Sequence, residues 1–239
     1  MLRVLLLVVG LFSGAAFAET VVPLTIGGQV IRVAVDDGYV QSSTQQPTLF
    51  AAASAAMPPG NRLVEQFVTA ADAKRILLSQ TMDDDYLQVQ VLRDAENVKL
   101  SAADWASARP KLIEQLGGLN INKLTKPMQA GIDKRVSAST GSDVTMKFGQ
   151  IGKPSIYGDF PDSVRFTVLL PITATVNGKP HQVQLECAGS VVLLNGKMLY
   201  AYAYRSYRPE DKNMLGVRTA LDHFLDRARA LNAGTKSIR

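Results

Sequence analysis

The side chains able to do chemistry are few in this sequence, and their spacing excludes more than it offers. His181 and His223 are the only histidines and Cys187 the only cysteine. The histidines have no His-x-x-x-His partner, which excludes the usual helical zinc pair, and no Gly-x-Ser-x-Gly elbow presents a serine nucleophile. Both histidines are expected to be structural or solvated. Asp83-Asp84-Asp85 offers the oxygens a hard cation prefers, but it lacks the Asp-x-Asp-x-Asp-Gly spacing of a calcium loop. It reads as a helix end running into a strand. Gly149-Gln150-Ile151-Gly152-Lys153 is too short for a phosphate loop and is followed by Pro154. No catalytic set, metal site or cofactor site is predicted.

Two groups of residues could instead bind. Tyr200, Tyr202 and Tyr204 alternate along one strand and Tyr207 follows three residues later, with Arg205 and Arg208 beside them. Such a ladder either lines a cleft, stacking on a sugar, a peptide or an aromatic ligand, or packs under a helix with its hydroxyls at the rim. Lys123, Lys126, Lys134 and Arg135 line the outside of a helical pattern. They form either a solvated face or a surface for anionic lipids and envelope polymers. A third option is a small envelope hydrolase or isomerase built on carboxylates that meet in space, with Asp159, Asp162 and Glu186 as candidates.

The tyrosines belong to the stretch from Ser163 to Tyr207, which predicts a three-stranded meander. Asn177-Gly178 and Asn195-Gly196 are each followed by lysine, and Asn-Gly suits a two-residue type I′ loop. The first turn sets Val176 opposite Lys179, Ala174 opposite His181, Leu170 opposite Leu185 and Val168 opposite Cys187. The second sets Val191 opposite Tyr200 and Leu193 opposite Met198. Apolar residues then share one face, as a buried sheet requires, and Cys187 points inward as a buried, inert thiol. On the other face Glu186 falls opposite Arg205. That face also carries Leu169, Ala188, Val192, Leu199, Ala201 and Ala203, so helices are expected to cover both sides.

Arg3, an apolar run from Val4 to Phe12 and the close Ala16-Phe17-Ala18 have the layout of a secretory signal cut after Ala18. The run is too short to span a membrane, and no later stretch is long enough, so the mature chain is expected to have no transmembrane segment. The look of the signal is bacterial and the destination the periplasm or the medium. The formal charge of +5 falls by one when Arg3 is removed. So mild an excess, in an exported chain, argues against a nucleic-acid partner. An envelope protein or a small ligand is the expected partner, with weak contact to a membrane surface as a further option.

Along the chain, strands from Val21 to Ile26 and Gln29 to Val35 flank a Gly27-Gly28 loop, and an alanine-rich helix follows Pro47 to Met57. A strand from Arg62 to Val68 leads into a helix capped by Thr69, and a strand runs from Tyr86 to Arg93. Ser101 and Asp104 predict a helix start, with Pro110 inside that helix expected to kink or break it. A second helix is expected from Ile121 to Ser137, its stripe made by Leu124, Met128, Ile132 and Val136. A strand from Val144 to Ile151, a loop to Pro161, the meander and a last helix from Pro209 to Asn232 complete the chain. Residues 19–234 read as one α+β domain, a single α/β/α sandwich with a largely antiparallel sheet, and 235–239 as a disordered tail. The layout resembles that of PsbP-like proteins and the bacterial DcrB-type periplasmic proteins. Val35-Asp36-Asp37-Gly38-Tyr39-Val40 is similar to their Pro-x-Gly-Tyr/Phe turn, with Asp36 where proline is commoner. The resemblance implies a non-enzymatic binding or accessory protein.

Overall fold

The fold was obtained as a computed structural model that describes residues 19–77 and 85–233. The expected signal, Asp83-Asp84 and the tail lie outside the described residues. In chain order the elements are β1 (Glu19–Ile26), β2 (Gln29–Asp36), β3 (Tyr39–Gln41), α1 (Ser42–Gln45), α2 (Pro47–Ala56), β4 (Asn61–Thr69) and α3 (Ala70–Leu77). They continue with β5 (Tyr86–Leu92), α4 (Ala102–Gly118), α5 (Ile121–Thr125), α6 (Gln129–Thr140), β6 (Val144–Phe148) and β7 (Ser155–Phe160). The last are β8 (Ser163–Val176), β9 (Lys179–Leu194), β10 (Lys197–Ser206) and α7 (Leu215–Asn232). Among the described residues, eight strands form one antiparallel sheet in the order β3-β4-β5-β10-β9-β8-β6, with β7 on the same edge of β8 as β6.

The meander has the register its turns predict. Val176 opposes Lys179, Val168 opposes Cys187, Val191 opposes Tyr200 and Glu186 opposes Arg205. Asn177, Gly178, Asn195 and Gly196 all have positive φ, which type I′ loops demand. Gly27 and Gly28 do the same for the β1–β2 hairpin.

The sheet is covered on both sides, giving the α/β/α layering. One face buries Phe67, Leu87, Val192 and Leu199 beneath the β1–β2 hairpin and α7. The hairpin is tied to the end of α7 by Asn232, whose side chain accepts from Arg32 N–H at 3.1 Å and donates to Arg32 C=O at 2.6 Å. Arg227 pairs with both Glu19 and Asp36 on the same hairpin. The other face meets α4, where Trp105 and Leu116 pack on Val164, Phe166 and Val191. Farther along, Ile121 of α5 joins Ile151, Val168 and Cys187, and α6 sets Ile132 and Val136 against Val144 of β6.

Three local expectations are corrected. The helix α4 is continuous through Pro110. Its missing N–H would have served Ala106 C=O, and both residues face solvent, so the unmade bond lies away from the buried stripe. The expected helix from Ile121 to Ser137 is divided into α5, a 3-10 turn over Lys126–Met128 and α6. Pro127 cannot donate within a continuing helix, and the division turns Leu124 out to 50% exposure. The expected loop before Pro161 contains β7, paired with β8 across a bulge at Tyr157.

Candidate binding site

The tyrosines and arginines do not form one site. Tyr200, Tyr202 and Tyr204 lie half-buried on the α4 face, where Tyr200 and Tyr202 pack in the Trp105 cluster and Tyr202 and Tyr204 in the Cys187 cluster. Tyr204 stacks on Tyr86 with ring centroids 4.7 Å apart, and Phe166 meets Tyr202 edge-on. Arg205 points to the opposite face, as strand alternation requires. There its Nε donates to Glu186 Oε2 at 2.9 Å, and its guanidinium also pairs with Asp211. Tyr207 and Arg208 are exposed past the strand end, where Tyr207 N–H donates to Gln184 C=O at 2.7 Å.

Burial, partly offset by a hydrogen bond to Tyr204, pushes the Cys187 thiol up to about 12, and burial likewise raises Tyr86, Tyr202 and Tyr204 above their ordinary 10.0. These acids ionise first in the unfolded chain. Their contribution to stability is therefore complete below about pH 9 and is lost as pH rises. Cys187 should be inert to a thiol reagent at pH 8 in the folded protein and react fully in concentrated urea. Fast reaction without denaturant would contradict this placement.

The three candidate carboxylates each have their own arginine. Glu186 pairs with Arg205, Asp162 with Arg229 at 2.5 and 2.8 Å, and Asp159 with Arg109 at 3.1 Å. Both histidines are exposed, His181 on β9 and His223 beside a small cleft with Asp36 and Arg227. No group of three His, Cys, Asp or Glu able to hold a metal occurs among the described residues.

The basic residues separate as well. Arg135 turns inward and donates to the carbonyls of Ala55 and Met57, both at 2.9 Å, closing the end of α2. Lys134 is exposed on α6. Lys123 and Lys126 flank exposed Leu124 at the break between α5 and α6, and there the chain forms a cleft of about 440 Å³. Its walls are Asn122, Thr125, Lys126 and Gln129 on the helical side and Lys147 and Phe148 on β6.

Side-chain bonds to the backbone build this cleft. Asn120 caps α5 by accepting from Lys123 N–H at 3.1 Å. Asn122 then bonds both the N–H and the C=O of Ile151, at 3.0 and 2.8 Å, fixing α5 to the chain beyond β6. Gln129 donates to Asp133 Oδ1 at 3.0 Å, an oxygen that also accepts from Met146 N–H at 2.8 Å. Asp133 is thereby engaged, while neither Lys126 nor Lys147 has an ion-pair partner among the described residues. The result is a groove with two cations, amide and hydroxyl groups and one aromatic wall. Lys126 belongs to the basic set that the sequence pattern marks. Lys147 carries a weaker signal, as one of two polar residues of the alternating Val144–Phe148 strand, and nothing in the sequence marks Asn122, Thr125 or Gln129.

No helix among the described residues is long and apolar enough to cross a membrane. No protein-family model matches the sequence, and no curated protein matches it. Among solved structures, the chain is similar to the Ran-binding protein Mog1p of Saccharomyces cerevisiae at 12% identity. That match covers 90% of this chain and 94% of the other with a TM-score of 0.36. A point mutant of Mog1 is also similar at 12% identity, covering 90% of each chain with a TM-score of 0.33. The expected resemblance to PsbP-like and DcrB-type proteins is corrected by this finding, since both of these solved structures are Mog1 proteins. Layout and one short turn are shared too widely to specify a family. A likeness this low carries no argument about function.

Proposed function

We propose that this chain is an exported binding protein without catalysis of its own, and that it takes an anionic ligand in the groove between α5 and β6. The observation that carries the reading is the pairing of Lys126 and Lys147 across a cleft of about 440 Å³, neither of them neutralised among the described residues. Unpaired cations on the walls of a concave site attract anions, and low-dielectric walls strengthen that attraction. The acids proposed for hydrolysis are each occupied by an arginine, which favours binding over chemistry. Export is supported by Arg3, the apolar run to Phe12 and the Ala16-Phe17-Ala18 site.

The test starts from the full sequence expressed in a Gram-negative host. The periplasmic fraction should contain a chain whose intact mass begins at Glu19. Titrated with citrate at low salt, its amide resonances should move at Asn122–Gln129 and at Lys147 and Phe148. The double charge reversal Lys126→Glu with Lys147→Glu should weaken binding about tenfold or more. Resonance shifts elsewhere, or a double variant that binds as well as the parent, would overturn the groove as the site.

A second reading, contact with an anionic membrane surface, is favoured by one observation. Leu124 is exposed between Lys123 and Lys126, an apolar tip framed by cations.

A further inference from the structure

We infer that the ligand of this groove is an extended peptide with two adjacent acidic residues, which joins the sheet as a short strand on the outer edge of β6. This rests on the reading of the groove as an anion site and names what the anion belongs to.

Among the described residues β6 ends the sheet order, and one of its edges has no strand beside it. Antiparallel strands alternate, and the backbone groups of Val144, Met146 and Phe148 face that outer edge. The structure closes most of it with side chains. Ser137 Oγ accepts from Val144 N–H at 2.9 Å and donates to Val144 C=O at 3.0 Å. Asp133 accepts from Met146 N–H. Past the strand end, Asn122 satisfies both backbone groups of Ile151. Between these two closures the C=O of Met146 and the N–H and C=O of Phe148 remain, with no partner among the described residues. That gap is the floor of the groove.

Exposed strand edges invite a further strand, and proteins normally block them. Here the block is in place on both sides of a gap long enough for about two residues of an added strand. An amide chain supplies the acceptor for Phe148 N–H and the donors for the two carbonyls, and a free inorganic anion supplies only the acceptor. The charges fix the side chains of the occupant. Phe148 lies on the α5 side of the sheet with Lys126, and Lys147 projects from the other side because neighbours on a strand alternate. Successive residues of an added strand would alternate in the same way. An acid facing Lys126 is thus followed by an acid facing Lys147.

The probe is the hexapeptide acetyl-Thr-Val-Asp-Glu-Val-Thr-amide, titrated into the mature chain at low salt. It should bind in the groove and slow the hydrogen exchange of the Phe148 amide. N-methylation of one alternating set of its amides should weaken binding about tenfold, and methylation of the other set should not. Replacing Asp-Glu by Asn-Gln should weaken it to a similar degree. If both methylated forms bind like the parent while citrate still perturbs the groove, the strand is overturned and the anion site stands. The strand is likewise overturned if vesicles of phosphatidylglycerol bind through Lys126 and Leu124 and the hexapeptide does not. If neither hexapeptide nor citrate perturbs the groove, both readings fall.

Discussion

Trp105→Ala should cost about 3–5 kcal/mol of stability, the range for deleting a large aromatic from a packed core. Trp105 is 2% exposed and holds α4 to the sheet through Val164, Phe166 and Val191. On the same stripe Leu116 is buried in the cluster and Leu112 and Ile113 pack against it, and side chains already held by packing relax only partly into the space an indole leaves. Trp105→Phe provides the contrast. The indole N–H is buried with no hydrogen-bond partner among the described residues, so phenylalanine removes an unsatisfied donor while keeping most of the volume. Its cost should stay below about 1.5 kcal/mol. Trp105 is the only tryptophan, so urea unfolding is followed by circular dichroism. Equal costs for the two variants would show that the ring's volume is not what anchors α4.

Arg205→Leu should be comparably damaging for a different reason. Glu186 is 0% exposed on the α7 side of the sheet, and Arg205 is the cation bonded to it. Removing Arg205 leaves a buried carboxylate without a counter-charge, which costs about 3–5 kcal/mol in comparable sites. Asp211 suffers less, because it also accepts from the N–H groups of Leu215 and Gly216, the first two residues of α7, both at 2.9 Å. The double variant Glu186→Leu with Arg205→Leu should recover most of the loss, since no charge is then stranded. A double variant as unstable as Arg205→Leu alone would place the cost in packing around α7 instead.

The Glu186–Arg205 pair also marks how far the sequence could be read. Two Asn-Gly turns and strict alternation determine a register, and a register determines which residues face each other across it. Faces, inward cysteine and ion pair all follow from local pattern. Pattern fails where the chain is punctuated. Gly158, Pro154 and Pro161 hide β7, and a bulge breaks its alternation. It fails again at Pro127, where a four-residue apolar spacing persists across a helix break and misassigns Leu124. The groove was legible only through Lys126. Asn122, Asp133 and Ser137 shape it by bonding to backbone, and such bonds have no period and leave no trace in composition. The tyrosine ladder was visible as a set, but its position beneath α4 depends on a helix about a hundred residues earlier in the chain.

The clasp between Asn232 and Arg32 sets an order of events. The inner face of the β1–β2 hairpin is covered by α7, and the bonded residues are separated by 200 positions. A chain delivered N-terminus first presents this hairpin long before its cover exists. The meander closes through turns of two residues, whereas the hairpin waits for a helix whose bonded residue lies 200 positions later. Until α7 arrives, Val22, Leu24, Ile31 and Val33 are an uncovered apolar surface during biogenesis. The hairpin therefore emerges well before α7 and is among the last parts of this fold to be buried, and in that interval its apolar face is open to association.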